Sequence, residues 1–331
     1  GEAFQYSNQM VAAGGYIAAI AAGGTLDTVY DDYVAGMEER VFGPLGMAST
    51  TFSFDEVEDN GNFALPHALS LEGEVIGFPL ETEIQVAPVA PAGGAWSNVI
   101  DLGHFAITQV NQGVAPDGGT VVSAENLEVT WTPRVQIAPG FSYGLGWVVT
   151  DYKDQLLLVH DGGTLGYNAE VAFLPDAGLG VAIVANQAGV LSFIEAVRGR
   201  VLELAFDQPA EGNAGIEFAM EQQRQGLADL AEMIVPLDES AVTPFLGAWE
   251  HPALGEVKLE LVDGRLTLDA GEFVSEIVVA RDDETEEAIY VTSTPPLGGL
   301  RVSLRDEEGR RALVVHDPAS TDLYAFTRVA G

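Results

Sequence analysis

Two short segments of this sequence carry side chains that can move a proton or bind a substrate. Tyr6-Ser7-Asn8 lies near the start of the chain, and His160-Asp161-Gly162 lies far downstream. A free phenol titrates at about pH 10, so Tyr6 needs a neighbouring cation before it can act as a base. Imidazole changes charge near neutral pH, so His160 can donate to a carboxylate or a phenol. Taken singly, both segments are ordinary, because capping serines and strand-end histidines are common.

Two further segments imitate the site of a nucleophile. Gly140-Phe141-Ser142-Tyr143-Gly144 fits the Gly-x-Ser-x-Gly pattern, in which the serine occupies a turn between a strand and a helix. Pro139 precedes this segment and a strand-like run follows it, so the required helix is not predicted. Thr150 stands three residues before Lys153, but in a predicted hairpin turn. Lys258, the only other lysine, has no hydroxyl at that spacing, so the sequence contains no Ser-x-x-Lys.

Helices must position the first candidate segment and strands the second. Three serines have the spacing of helix caps, namely Ser7, Ser97 and Ser123. The longer predicted helices cover residues 10–22, 25–42, 97–112 and 190–206. Predicted strands with short connections, which favour antiparallel pairing, cover residues 144–149, 155–160, 168–174 and 180–186. We therefore expect an α+β domain over residues 1–210, built as an antiparallel sheet flanked by helices.

The pattern changes after residue 210. Residues 211–240 are predicted to be a linker that contains a helix over about 218–234. From residue 241 to 331 the chain is nearly all strand and turn, with turn signals at a spacing of about ten residues. This spacing is typical of a small all-β barrel or sandwich.

Several landmarks follow one another in a fixed order over residues 1 to about 206. They are Phe4-Gln5-Tyr6-Ser7-Asn8, Pro44-Leu45-Gly46-Met47 with Thr50, Ala92-Gly93-Gly94 with Ser97 and Asp101, Tyr143-Gly144-Leu145-Gly146-Trp147, and His160-Asp161-Gly162-Gly163-Thr164-Leu165-Gly166-Tyr167. This ordered set resembles the family that contains class C β-lactamases, penicillin-binding DD-peptidases and related serine esterases. The segment over 241–331 is similar to the lipocalin-like β-domain of some members.

The resemblance implies a role for each candidate residue. In the family, a serine attacks a carbonyl to form an acyl-enzyme. Tyr6 then corresponds to the proton-relaying tyrosine, Asn8 to a residue that positions the substrate, and His160 to a position where many members carry lysine. The expected substrate-binding and oxyanion residues are Asp161, Gly162, Gly163 and Thr164. The N–H near Thr164 would form half of an oxyanion hole, whose loss typically reduces the rate by about 100- to 1,000-fold.

The family's first motif, Ser-x-x-Lys on a helix, is the part that this sequence does not contain. We therefore expect the N-terminal part of the domain to be missing. A separate fragment that carries the serine and the lysine, either cleaved, lost or supplied by another chain, is the expected partner. We expect such a fragment to bind this chain tightly.

Three functions stay open at this point. The first is a serine hydrolase of this family, acting through an acyl-enzyme on an amide, an ester or a β-lactam. The second is a non-catalytic binding protein that keeps the cleft. The third is an unrelated serine hydrolase that uses Ser142. The first two imply a small-molecule or peptide ligand, and none implies a cofactor.

Composition narrows the range of partners. The chain has 50 acidic and 14 basic residues, which gives a net charge of −36. Such a surface repels nucleic acid and anionic membranes. The acidic residues are spread along the chain, so we favour adaptation to high salt over a cationic partner, and this predicts that thermal stability rises steeply towards molar salt. No apolar run reaches spanning length.

Metal and thiol chemistry find no support in the sequence. The chain has no cysteine, and its five histidines show no metal-ligand spacing. An oligomer is compatible with these features, and the cellular compartment is left undetermined by them.

Overall fold

The computed structural model describes residues 4–71, 73–210, 212–271, 273–281, 288–307, 310–316 and 323–329. The chain divides into two units. The first unit holds residues 1–64 and 83–216, and the second holds residues 65–82 and 217–331. The sequence-based boundary placed residues 65–82 in the first domain. They belong to the second unit, where the carbonyl of Leu69 lies beside Gly298.

The helices and the antiparallel strands occur in separate runs along the chain. The helices are α1 (Asn8–Ala21), α2 (Val29–Met37), α3 (Gly43–Leu45), α4 (Phe54–Asn60), α5 (Ala90–Gly93), α6 (Val99–Val110), α7 (Ala124–Trp131), α8 (Leu191–Ala205), α9 (Gly212–Met233) and α10 (Glu239–Val242). Tighter or wider helical turns cover Leu26–Thr28, Glu38–Phe42, Leu80–Val89 and Thr243–Phe245.

The strands of the first unit and of the short hairpin come first in the chain. They are β1 (His67–Leu69), β2 (Val75–Gly77), β3 (Val135–Ala138), β4 (Phe141–Tyr143), β5 (Val148–Tyr152), β6 (Gln155–Gly163), β7 (Asn168–Leu174) and β8 (Leu179–Ala185). The strands of the second unit are β9 (Ile234–Val235), β10 (Gly247–His251), β11 (Gly255–Val262), β12 (Arg265–Asp269), β13 (Val274–Arg281), β14 (Ala288–Thr292), β15 (Arg301–Glu307), β16 (Arg310–His316) and β17 (Leu323–Arg328).

Capping explains how the helices near the candidate site begin. Ser7 has an extended backbone, and its side chain accepts a hydrogen bond from the Met10 N–H at 3.3 Å, as its spacing predicts. The prediction that Ser97 caps α6 is wrong by one residue. Asn98 takes this position, and its Oδ1 accepts from the N–H groups of Ile100 and Asp101.

The helix predicted over residues 25–42 is divided into three pieces. A 3-10 turn over Leu26–Thr28 precedes α2, and a π-helical turn over Glu38–Phe42 follows it. The carboxylate of Asp32 explains the first break, because it accepts hydrogen bonds from the Thr25 N–H at 3.0 Å and from the Thr28 hydroxyl at 2.7 Å. A local side-chain bond therefore competes with the regular helical pattern here.

The first unit is built on a six-stranded antiparallel sheet in the order β3-β4-β5-β6-β7-β8. Alternate residues of its strands point to opposite faces, and both faces are covered. On one face, Leu158 and Phe173 pack against Trp131 of α7. On the other face, Leu157 and Leu174 pack against α8. The predicted α+β arrangement with an antiparallel sheet and flanking helices is confirmed.

The second unit contains a closed barrel of eight antiparallel strands, β10 to β17. The strand order is β12-β11-β10-β17-β16-β15-β14-β13, and pairing of β12 with β13 closes it. Of the two predicted all-β architectures, the barrel is the one observed. Its interior is filled by side chains that are almost fully buried, including Trp249, Leu259, Val302, Leu313 and Phe326. The barrel is therefore a packed core.

Candidate active site

The two segments identified from the sequence meet at the start of α1. The ring of Tyr6 lies with its centroid 6.2 Å from the imidazole of His160 and 6.4 Å from the ring of Tyr143. Phe4 packs on Tyr143 from the other side, at a centroid distance of 4.9 Å. Tyr6 is 47 % exposed and Asn8 is exposed in the first turn of α1. Tyr6 and His160 thus lie together where solvent reaches them, and Asn8 is exposed two residues after Tyr6.

Hydrogen bonds fix the tautomer of His160. Its Nδ1 lies 2.6 Å from the carbonyl oxygen of Asp161, which can only accept, so Nδ1 carries the proton. In the neutral ring Nε2 is then the acceptor, and the Tyr143 hydroxyl donates to it at 2.9 Å. Both ring nitrogens are therefore engaged, and His160 has no free lone pair with which to take a proton from another group.

The sheet register leaves one edge of β6 open beside this cluster. The pairing of β5 with β6 ends at Val148 and Val159, whereas the pairing of β6 with β7 continues to Gly163 and Asn168. Residues 160–163 therefore extend past the end of β5. Their outer edge has no partner strand in the described sheet. Such an edge can hydrogen-bond an extended ligand.

The N–H groups near Thr164 point to different sides of β6. The Thr164 N–H donates to the Tyr167 carbonyl at 3.0 Å across the β6–β7 turn. Because N–H groups alternate in direction along a strand, the N–H of Gly163 points to the open edge. Of these two expected oxyanion residues, Gly163 is therefore the one whose N–H faces the open edge.

Asn168 explains why a glycine stands at position 163. A Cβ on Gly163 would lie 2.7 Å from the Asn168 Nδ2, which is closer than real contacts allow. That same Nδ2 donates to the Gly162 carbonyl at 3.2 Å, and the Asn168 Oδ1 accepts from the Val190 N–H. The buried side-chain amide of Asn168 thereby fixes the backbone of the open edge at Gly162. Asp161, Gly162 and Gly163 themselves are exposed.

The electrostatic environment does not activate Tyr6. Burial raises the pKa of Tyr6, and the nearby Asp161 carboxylate raises it further. Burial, with smaller contributions from Tyr6 and Asp161, raises the pKa of Tyr143 to about 12. A tyrosine that serves as a base needs the opposite shift, which a neighbouring cation produces. Both phenols are therefore hydrogen-bond donors in this environment.

Three supporting residues were not singled out as site residues from the sequence. Tyr143 was recognised only as part of a strand landmark. Asp101 joins two landmarks, because its Oδ2 accepts from the Thr50 hydroxyl at 2.8 Å and from the Ser49 N–H at 2.8 Å. Glu83 accepts from the Gly166 N–H at 2.6 Å in the turn after β6. Each of these bonds joins residues far apart in sequence. The landmark pattern offered a signal for Tyr143 and Asp101 and none for Glu83.

The two segments that imitate a nucleophile site, around Ser142 and Lys153, lack the local structure that such a site needs. Ser142 lies inside β4, where it pairs with Val149 of β5, so a strand follows it instead of a helix. The alternative of a nucleophile elbow at Ser142 is therefore wrong. Lys153 occupies the β5–β6 turn with a positive φ of 52°. Within the described residues, no group of three potential metal ligands comes together and no helix is long and apolar enough to span a membrane.

Comparison with known proteins adds to this picture. A family model described as Beta-lactamase matches residues 1–205. The "Unguisins hydrolase ungD'" of Aspergillus campestris is 25 % identical over 279 residues, covering 77 % of this chain and 49 % of that protein. "Penicillin-binding protein 4" of Amycolatopsis lactamdurans is 28 % identical over 173 residues, covering 47 % of this chain and 42 % of that protein. The chain thus spans about half the length of these curated relatives.

A solved structure shares the fold over nearly the whole chain. The octameric penicillin-binding protein homologue from Pyrococcus abyssi covers 98 % of this chain and 65 % of its own, with a TM-score of 0.55 at 19 % identity. At this identity the likeness concerns the fold alone. It extends beyond residues 1–205 into the barrel.

Proposed function

This chain belongs to the Beta-lactamase family, and from that premise we propose that it supplies the acyl-binding part of a serine hydrolase. The nucleophilic serine and its lysine are carried by a segment outside these 331 residues. The observation that carries the proposal is the joining of Tyr6, Tyr143 and His160 beside the open edge of β6. Hydrolysis is the activity that the name of the fungal relative states for that protein.

The proposed reaction proceeds through a serine ester. The incoming serine Oγ bonds to the carbonyl carbon of an amide, an ester or a β-lactam, and the bond to the leaving nitrogen or oxygen breaks. Tyr6 takes the serine proton and returns it to the leaving group. Water then attacks the ester, which releases the acid and restores the serine. The Gly163 N–H donates to the oxyanion that forms in each step.

The environment of Tyr6 supports a cation that comes from elsewhere. Burial and the Asp161 carboxylate both raise the pKa of Tyr6, so this chain alone does not make it a base. The two lysines of the sequence are Lys153 in a hairpin turn and Lys258 in β11 of the barrel unit. An ammonium group placed beside Tyr6 by the Ser-x-x-Lys segment would reverse the direction of the shift.

The surface of α1 supports a covering segment. Only Ala12 and Ala19 of this apolar helix are buried, whereas Met10 is 72 % exposed and Ile17 is 65 % exposed. A helix that is apolar on most of its circumference normally packs on several sides. A Cβ added at Gly14 would meet open space, so a neighbouring helix can approach closely there. We assign this surface to the helix that carries Ser-x-x-Lys.

His160 and Tyr143 hold the substrate side of the site in this proposal. Because the carbonyl of Asp161 and the hydroxyl of Tyr143 engage both ring nitrogens, His160 acts as a fixed positioning group and does not take the place of the base. Asn8, which is exposed in the first turn of α1, donates to a substrate carbonyl in this proposal.

A binding protein without catalysis is the second candidate. It is favoured by one observation, the lack of Ser-x-x-Lys in the sequence. The two candidates differ in what the upstream coding region supplies. Hydrolysis requires a segment with both the serine and the lysine, whereas binding requires neither.

Reconstitution distinguishes the candidates. The chain is assayed with a chromogenic ester and a chromogenic cephalosporin, alone and with a co-expressed segment that carries Ser-x-x-Lys from the region upstream of Gly1. We expect turnover only in the presence of the segment. Tyr6→Phe should then reduce turnover by at least about 100-fold. Tyr16→Phe is the matched control, since Tyr16 lies on α1 and its hydroxyl donates to the Pro88 carbonyl, away from Tyr143 and His160. Equal loss in both variants would contradict the role of Tyr6.

A further inference from the structure

The first unit contains a cavity that has neither Tyr6 nor His160 in its wall. Its volume is about 170 Å³ and it opens to solvent. Four aromatic rings form much of the wall, and two carboxylates complete it. These residues are Tyr30, Phe52, Phe54, Trp96, Asp55 and Glu83. Among the described residues, no lysine, arginine or histidine lines the cavity.

Backbone bonds hold the aromatic wall in place. The Trp96 N–H donates to the Thr51 carbonyl at 2.8 Å, and the Thr51 N–H donates back to the Trp96 carbonyl at 3.0 Å. Phe54 meets the Trp96 ring edge to face at 6.3 Å. The Tyr30 hydroxyl donates to the Phe52 carbonyl at 3.3 Å. The cavity is therefore formed before any ligand enters it.

Glu83 is the unusual member of this wall. It is only 5 % exposed, and its Oε1 accepts from the Gly166 N–H at 2.6 Å. No ion pair to Glu83 occurs within the described residues. Burial raises the pKa of Glu83, although hydrogen bonds from the Thr164 side chain and from the N–H groups of Gly166 and Leu165 oppose the shift. A buried carboxylate with no cation is unfavourable, and a cationic ligand would relieve that penalty.

We propose that this cavity binds a primary ammonium group on a short alkyl chain. Aromatic faces attract an ammonium ion through their quadrupoles, and the carboxylates of Asp55 and Glu83 add opposite charge. Sites for drug-sized ligands measure about 300–1,000 Å³, so this cavity accepts a group of side-chain size. Neutral alkyl groups of the same length lack the charge that the wall selects.

The cavity also has a structural link to the candidate active site. Glu83 lines the cavity and binds Gly166, which lies in the turn directly after the open edge of β6. If the chain acts as proposed above, the group in the cavity is an ammonium-bearing side chain of the substrate. This extension rests on the proposed function, whereas ammonium binding by the isolated chain does not.

Direct binding of n-pentylammonium tests the inference without any catalysis. Binding is followed by calorimetry and by tryptophan fluorescence, because Trp96 is only half-buried and the other three tryptophans are buried. n-Pentanol serves as the neutral counterpart. A high and constant ionic strength screens the general attraction of the acidic surface for cations.

Two matched variants identify the site. Glu83→Gln removes the charge but keeps an oxygen that accepts from the Gly166 N–H, and it should weaken pentylammonium binding by about tenfold or more. Glu128→Gln removes an exposed charge on α7 and should leave the affinity unchanged. Asp55→Asn, in the exposed first turn of α4, provides a second reading if Glu83→Gln folds poorly.

Each possible result either supports or overturns the ammonium site. Binding of pentylammonium without binding of pentanol, lost in Glu83→Gln and kept in Glu128→Gln, supports the site. Equal binding of both ligands, equal loss in both variants, or no binding would each overturn it. None of these results depends on hydrolysis, so the inference and the proposed function fail separately.

Discussion

The barrel and the region around α1 differ in how far their apolar side chains are buried and their polar atoms hydrogen-bonded. In the barrel, Trp249 is fully buried and its Nε1 donates to the Phe245 carbonyl at 2.8 Å. Around α1, large apolar side chains such as Met10 and Ile17 are exposed. Within the described part of the chain, Glu170 Oε1 is a buried side-chain atom without a hydrogen-bond partner, and it belongs to the first unit.

This difference separates a region whose apolar surface is buried from one whose apolar surface is exposed. A closed barrel with a filled interior leaves few groups for a partner to satisfy. The exposed apolar helix α1 offers a surface that a partner can cover. Tyr6, just before this helix, has a raised pKa and, among the described residues, lacks a neighbouring cation that would lower it. The filled barrel is consistent with a role in stability, and the exposed surface of α1 is the one on which we propose that another segment packs. Four substitutions test this assignment.

Trp249→Ala should have the largest effect. It removes a fully buried ring from the barrel and leaves the Phe245 carbonyl without its donor. Loss of such a residue typically destabilises by about 3–5 kcal/mol. Hydrogen–deuterium exchange of peptides from β10 to β17 would report this loss as faster exchange. Unchanged exchange in the barrel would contradict its description as a tightly packed core.

Glu170→Gln should have the next largest effect, with a defined pH dependence. Burial is the main cause that raises the pKa of Glu170 from 4.5 to about 7, although Arg198 lies 2.6 Å from its Oε2. A raised folded-state pKa gives stability that is full below about pH 4.5 and is lost as the pH rises through about 7. The variant should therefore gain stability over the wild type across that window, by up to about 3 kcal/mol.

The Glu170 measurement has its own control. Denaturant unfolding of the first unit is compared at pH 4.5 and pH 8 for Glu170→Gln and for Glu128→Gln, whose side chain is exposed. A stability difference that is the same at both pH values in Glu170→Gln would show that this carboxyl does not titrate in the window.

Tyr143→Phe should change one hydrogen bond, worth about 1 kcal/mol. The phenyl ring keeps the contact with Phe4, but the donor to the Nε2 of His160 is lost. We expect ¹⁵N NMR to show the Nδ1–H form of His160 in the wild type and a shifted Nε2 signal in the variant. An Nε2–H form in the wild type would contradict the tautomer derived from the Asp161 carbonyl.

Ile17→Ser should have the smallest effect on the chain by itself. Ile17 is 65 % exposed, so the change in the free energy of unfolding should be within about 0.5 kcal/mol. The same substitution at Ile194, which is fully buried, is the matched control and should destabilise by several times more. The affinity for the Ser-x-x-Lys segment should fall in Ile17→Ser. Unchanged affinity would remove α1 from the proposed docking surface.

Local patterns predicted much of the framework that carries the site. Strand β7 over Asn168–Leu174 matches its prediction residue for residue, and Ser7 caps α1 as its spacing indicates. Both features depend on neighbouring residues alone, through alternation along a strand and a side chain that reaches three residues ahead. Helix α4 over Phe54–Asn60 was missed because its polar sequence shows no apolar stripe.

Contacts between distant segments lay beyond local patterns. The Tyr143–His160 bond depends on β6 running past the end of β5, which only the register reveals. Glu83 is one of 50 acidic residues, and nothing near it in sequence indicates burial against Gly166. The choice between the N–H groups of Gly163 and Thr164 also lay beyond the sequence, since the direction of an N–H follows from strand pairing.

Trapping of the acyl-enzyme tests the central claim most directly. The chain, the Ser-x-x-Lys segment and their mixture are each treated with a reactive β-lactam or fluorophosphonate, and intact mass and peptide mapping locate the label. The account predicts stoichiometric labelling of the segment's serine only in the mixture, and strong loss of labelling with Tyr6→Phe. Labelling of this chain alone, at Ser142 or any other residue, or no labelling of the bound mixture, would contradict it.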